Sequence, residues 1–133
     1  MRRVVVTGLG MISPLGINLK NSWERLLQGE CGISKIESYD ASEMPVQIAA
    51  EVKDFNPMDF GIEKKEVKKL ARNTQFAIAA SKMALEDSKL NLEETNPFDI
   101  GVVISSGIGG MEIFEDQHKN MLEKGVKRIS PFT

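Results

Sequence analysis

Cysteine and histidine are nearly missing from this chain, which holds one of each, Cys31 and His118, in 133 residues. A single cysteine permits no intramolecular disulfide, which suits the reducing cytoplasm. A catalytic centre built on a nucleophile, a base and the base's partner needs more than this one pair, far apart in sequence. No Cys/His cluster has the spacing of metal ligands. Charge of one sign is also lacking: 17 Lys and Arg against 19 Asp and Glu leave a net −2. No global field therefore favours nucleic acid or a membrane surface. No apolar run approaches the length of a membrane-spanning helix. The N-terminus does not read as a signal peptide, because two arginines precede only a short apolar run that breaks at Gly8. Internal repeats and low-complexity segments are missing as well.

What remains is ordinary for a globular chain of one-domain size, with 41% apolar and 27% charged residues. Val4 to Val6 form a continuous apolar run, predicting a strand buried on both faces, and Gly8 and Gly10 predict a tight turn after it. Asn18 or Asn21 can cap a helix ending near Gly29, with Leu19, Trp23, Leu26 and Leu27 on one face. Residues 30 to 60 read as irregular. Within them Val46, Ile48, Ala50 and Val52 alternate with their neighbours as in a half-exposed strand. A long helix is predicted from about Glu63 to Lys89, with Val67, Leu70, Ala71, Thr74, Ile78, Ser81 and Leu85 facing inward. Pro97 falls in a loop. Ile100 to Ser106 then repeats the first strand's pattern, and a helix starts near Met111 and is capped at Gly125. This order predicts an α/β arrangement with a mostly parallel sheet.

Three motifs invite a functional reading. Gly8-Leu9-Gly10-Met11-Ile12-Ser13 matches a dinucleotide-binding loop only in part, because Ser13 replaces the third glycine and Pro14 follows. Tight-turn glycines fit better, and a nucleotide-binding module ranks last among the functions considered. Lys65, Lys68, Lys69 and Arg72 share one helical face at spacings of three, four and seven. Like charges there repel, and the helix dipole disfavours cations in the first turns. From spacing alone, a solvated lysine-rich face is slightly favoured over a dock for an acidic partner. Ser105-Ser106-Gly107-Ile108-Gly109-Gly110 reads as a strand-to-helix turn with one buried isoleucine. A phosphate loop is the weaker option, since no Lys-Ser/Thr pair follows. Cys31 reads as structural or incidental, and His118 as a surface or interface residue.

The run Arg2-Arg3-Val4-Val5-Val6-Thr7-Gly8-Leu9-Gly10-Met11-Ile12-Ser13-Pro14-Leu15-Gly16 closely resembles the opening of the β-ketoacyl-acyl-carrier-protein synthases. The resemblance is to the elongation (type II) class and covers the family's N-terminal third, as far as Ser130-Pro131-Phe132-Thr133. It implies a thiolase-like α/β fold with five alternating layers (αβαβα), of which residues 1–133 would form most of the first half. Strand edges and buried faces would then be left open. It implies that the catalytic cysteine and both catalytic histidines lie downstream, so this segment alone is not expected to be active. The implied reaction is decarboxylative condensation of malonyl-carrier protein with an acyl thioester, in a cytoplasmic homodimer that needs no cofactor or metal. Acyl carrier protein and acyl and malonyl thioesters are the implied partners, with no nucleic acid or membrane.

Carried over residue by residue, Lys65, Lys68 and Lys69 match the basic stretch that receives the carrier protein's acidic helix. Lys127 and Arg128 match a second basic pair facing the same partner. Gly107 and Ile108 match the segment whose isoleucine lines and gates the acyl-chain pocket. Thr133 stands where many relatives have phenylalanine, a departure that bears on pocket depth and chain-length preference. A non-catalytic partner of the same fold, like a polyketide chain-length factor, is the alternative, because residue 133 precedes the position that decides.

Overall fold

The computed structural model describes residues 3–131, which fall into two compact units. One unit holds the described residues up to Asn56 together with Ala79–Thr95; the other holds Pro57–Ile78 and the described residues from Asn96 onward. The elements are helix α1 (Leu19–Leu27), strands β1 (Ser34–Lys35) and β2 (Ile48–Ala49), and helices α2 (Lys64–Val67), α3 (Arg72–Ser88) and α4 (Met111–Lys124). Short 3-10 turns occupy Pro57–Phe60, Pro97–Asp99 and Val126–Arg128. The first residues of α3, as far as Ile78, belong to the second unit and the remainder to the first.

In the first unit, Asn18 is the cap of α1: its side-chain oxygen accepts the Asn21 N–H at 2.8 Å. The helix ends before Gly29, whose φ of 72° only glycine adopts freely. The turn feeding α1 is held by paired backbone bonds between Ser13 and Gly16 at 2.8 and 3.0 Å. The buried Ser22 hydroxyl closes it by donating to the Gly16 carbonyl at 3.1 Å.

Gly8 and Gly10 differ from their predicted role. Neither has a positive φ. Instead they bring the chain against α3: a Cβ on Gly8 would lie 2.2 Å from the Ala84 carbonyl oxygen, and one on Gly10 would lie 1.9 Å from that of Ala80. The Leu9 N–H between them donates to the Asp87 carboxylate at 2.8 Å. Alanines one helical turn apart and glycines two residues apart thus make a close-packed seam.

The alternation over residues 46–52 yields a shorter strand than its length suggests. Only Ile48–Ala49 pairs, antiparallel with Ser34–Lys35, and the Ile36 N–H to Gln47 carbonyl bond extends it by one step. Beyond the strands, Glu51 closes the loop by accepting from the Ser38 hydroxyl and from the Glu37 and Ser38 N–H groups. The Ser38 hydroxyl, then the Glu37 N–H, hold the Glu51 carboxyl below its ordinary range. A depressed carboxylate contributes stability above the unfolded value, about pH 4.3, that is lost as pH falls through the folded value. The amides of Glu37 and Ser38 are therefore expected to lose exchange protection in that acid window. In Glu51→Gln that titration should vanish, and persistence of the same midpoint would assign it to another group.

The two predicted buried strands are not formed. Val4 is 96% exposed and Val103 is 96% exposed, and neither segment takes part in a ladder among the described residues. A strand needs a lateral partner for its N–H and C=O groups, and neither run finds one within these residues. The single long helix also divides. α2 ends at Val67, residues 68–71 form a turn, and α3 starts at Arg72. Ala71, just before α3, and Gln75 and Ala79 within it are buried at four-residue spacing, whereas Ile78 and Leu85 are exposed. α4 begins and ends as predicted, between Gly110 (φ 77°) and Gly125 (φ 84°).

Candidate functional site

The described residues that the family resemblance carries over as site residues all belong to the second unit. Lys65 lies on α2, and Lys68 and Lys69 lie on the turn that follows. The Lys69 and Leu70 N–H groups both donate to the Glu66 carbonyl, at 2.8 and 3.1 Å, so the chain coils once and stops. All three lysines are exposed. Lys65 pairs with Glu63 at 2.7 Å, an exposed contact of little energetic weight.

The break removes Arg72 from the row that a continuous helix would make. Its guanidinium sits over the Phe76 ring at 4.9 Å, and its N–H donates to the Glu112 carboxylate of α4 at 2.8 Å. The basic surface is thus a lysine turn rather than one face of a long helix. Lys127 and Arg128 are exposed on the 3-10 turn after α4, where the Arg128 N–H donates to the Gly125 carbonyl at 3.0 Å.

Ile108 is 81% exposed on the bend at Gly107-Ile108, not buried as the turn alone suggested. Nothing lies within 4 Å of a Cβ built on Gly107, whereas one on Gly109 would fall 2.2 Å from the Asn73 amide nitrogen. The loop is thus tight at Gly109 and open at Gly107 and Ile108. Beside it, Leu70, Ala71, Thr74, Ile78, Ile113 and Phe114 line an open hollow of about 810 Å³ whose rim includes Gly109 and Gly110 but not Ile108. Thr133 lies outside the described residues. Cys31 is exposed in the other unit. His118 stacks on Phe114, one turn earlier in α4, with ring centroids 6.3 Å apart.

The family model described as "Beta-ketoacyl synthase, N-terminal domain" matches residues 1–133. The chain belongs to this family. Among curated proteins, this β-ketoacyl synthase N-terminal domain is 47% identical over 131 residues to a 3-oxoacyl-[acyl-carrier-protein] synthase 2 of Staphylococcus aureus. It is 45% identical to the protein of that name from Synechocystis. In both cases 98% of the chain is covered, but only 31% of the relative: the chain spans about a third of the curated proteins it matches.

Solved structures agree on the fold. The ishigamide ketosynthase/chain length factor superposes with a TM-score of 0.77 at 27% identity, over 98% of this chain and 32% of that one. A type II polyketide ketosynthase, solved in complex with its acyl-carrier protein and bound to the hexaketide, gives 0.76 at 25%, over 96% and 33%. The mixed helix-and-sheet architecture is therefore that of the ketosynthases.

Two site features have no counterpart in the sequence reading. One is the buried Gln75 amide; the other is Glu112, 40 residues from the N–H it caps. A polar residue inside an apolar stripe was the available signal for Gln75. Nothing local marks Glu112 as more than an ordinary first-turn acid.

Proposed function

We propose that the chain is the N-terminal segment of an elongation-class β-ketoacyl-acyl-carrier-protein synthase. The observation that carries this reading is 47% identity to a 3-oxoacyl-[acyl-carrier-protein] synthase 2, maintained over 98% of the chain. In this reading the complete fold is the five-layered thiolase-like arrangement, working as a cytoplasmic homodimer. A cysteine thiolate outside these residues takes the acyl group from its carrier as a thioester, expelling the carrier's thiol. Malonyl-carrier protein loses carbon dioxide, and the resulting enolate attacks that thioester, releasing the cysteine thiolate. Donors aimed at the enolate oxygen lower the barrier.

Lys65, Lys68 and Lys69, with Lys127 and Arg128, form the dock for the acidic carrier protein. Gly107 and Ile108 form the movable edge of the acyl pocket, and Thr133, outside the described residues, is the third pocket position that the resemblance carries over. Exposure of Ile108 and the open space around Gly107 support a side chain free to change position.

The second reading is a non-catalytic partner, favoured by the superposition on a ketosynthase/chain length factor. Its 27% identity is well below the 47% to the synthases, so we rank it second. The product profile decides. The full-length protein, given malonyl-carrier protein and a short acyl thioester, is expected to release carbon dioxide and form the β-ketoacyl thioester. Ile108→Phe should keep the first condensations and curtail the longer products. No condensation by the wild type would favour the partner reading, and an unchanged chain-length profile would remove Ile108 from the gate.

A further inference from the structure

The turn that carries Lys68 and Lys69 leaves backbone acceptors behind it. A helix continuing past Val67 would use the Val67 and Leu70 carbonyls for N–H groups one turn later. Because the chain breaks between α2 and α3, that ladder stops. Gln75 takes both carbonyls: its amide nitrogen donates to Val67 O at 3.1 Å and to Leu70 O at 2.8 Å. The residue is only 7% exposed, and no buried side-chain polar atom among the described residues lacks a partner. The two donors of one amide group match the two acceptors of one turn. From the other side, Glu112 of α4 accepts the Arg72 N–H that opens α3. The stretch from Val67 to Arg72 is therefore tied to the body of the unit at both ends.

We infer that Gln75 is the positioning residue of the lysine turn, fixing where Lys65, Lys68 and Lys69 stand when an acyl carrier protein arrives. This inference rests on the docking reading above. Gln75 itself is buried behind the turn and touches no partner. Without it, two carbonyls must find water, and the turn samples other arrangements. Binding then weakens by the fraction of time the turn is correctly placed.

The test uses the full-length protein, with acyl carrier protein as the probe and Gln75→Met as a variant of similar length without donors. If the turn is correctly placed about a tenth of the time, KM for carrier-borne thioester rises about tenfold with kcat held. Kinetics with a carrier-free acyl thioester, which needs no dock, should stay as in the wild type. Hydrogen exchange at the Lys69 and Leu70 amides should accelerate. An equal loss with both substrates would make Gln75 a general structural residue and overturn the inference. So would faster exchange with an unchanged carrier KM. If Lys65, Lys68 and Lys69 reversed to glutamate weaken carrier binding while Gln75→Met does not, the dock stands and the positioning role falls. If neither change matters, the docking reading fails and takes this inference with it. Gln75→His, which keeps one N–H donor, should give an intermediate KM; it serves as the second variant where Gln75→Met does not fold.

Discussion

Glutamate in place of Lys65, Lys68 and Lys69 is expected to weaken acyl carrier protein binding by about a hundredfold at low salt. In the proposed dock, each reversal turns an attraction toward an acidic helix into a repulsion. About 1 kcal/mol per exposed site gives ~3 kcal/mol for three, which is roughly that factor. The loss should shrink as ionic strength rises, because exposed charges are screened within about 8–10 Å near physiological salt. Stability should barely move. The three positions are exposed, and the Lys65 contact with Glu63 is itself exposed and of little energetic weight. Surface changes of this kind stay within about 0.5 kcal/mol each. Titration calorimetry at two salt concentrations, alongside thermal melts, checks both halves. Unchanged affinity with a lowered melting temperature would leave only a solvated lysine turn that the fold happens to need.

Gly10→Ala should have the largest effect on folding. The added methyl would fall 1.9 Å from the Ala80 carbonyl oxygen and 2.9 Å from the Ala84 nitrogen, both backbone atoms of α3. Neither can swing aside like a flexible side chain, so the segment and helix must separate. Over-packing of this kind costs about 1–3 kcal/mol, with the rigid contact here arguing for the upper end. For a chain of this size that lowers the melting temperature by roughly 10 °C. Gly101→Ala is the control, because nothing lies within 4 Å of its added carbon. Equal melting temperatures for the two variants would dissolve the seam between Gly8-Leu9-Gly10 and α3.

Helix ends were the most legible part of this chain. Asn18, one of the two caps offered for α1, and Gly125 act within one turn of their own position, so capping chemistry places them directly, and the start of α4 fell at Met111 as expected. The strands were legible only as apolar runs. Val4–Val6 and Ile100–Ser106 carry the composition of buried strands, but strandedness depends on a neighbour, and composition does not supply one. The predicted long helix failed for a related reason. Its apolar residues keep helical spacing from Val67 to Leu85, and spacing does not report a four-residue turn that Gln75 stabilises from behind. The two functions of glycine were also confounded. Gly8 and Gly10 look like turn residues, yet the space they leave is filled by another backbone. Of the candidate site, spacing singled out the lysines but left a solvated face slightly favoured, and the dock, Gly107 and Ile108 came from family resemblance. Gln75 and Glu112 act across the fold, which a linear reading does not reach.

The exposed run from Ile100 to Ile104 also governs how the isolated segment behaves as a colloid. Val102, Val103 and Ile104 are β-branched, uncharged and open to solvent, with no proline among them. Such a run is a template for intermolecular strand pairing. Val4–Val6 is better defended, because Arg2 and Arg3 adjoin it directly. Handled by itself, the segment should cluster through residues 100–104 first, and a lysine at Val103 is the change that would keep it in solution.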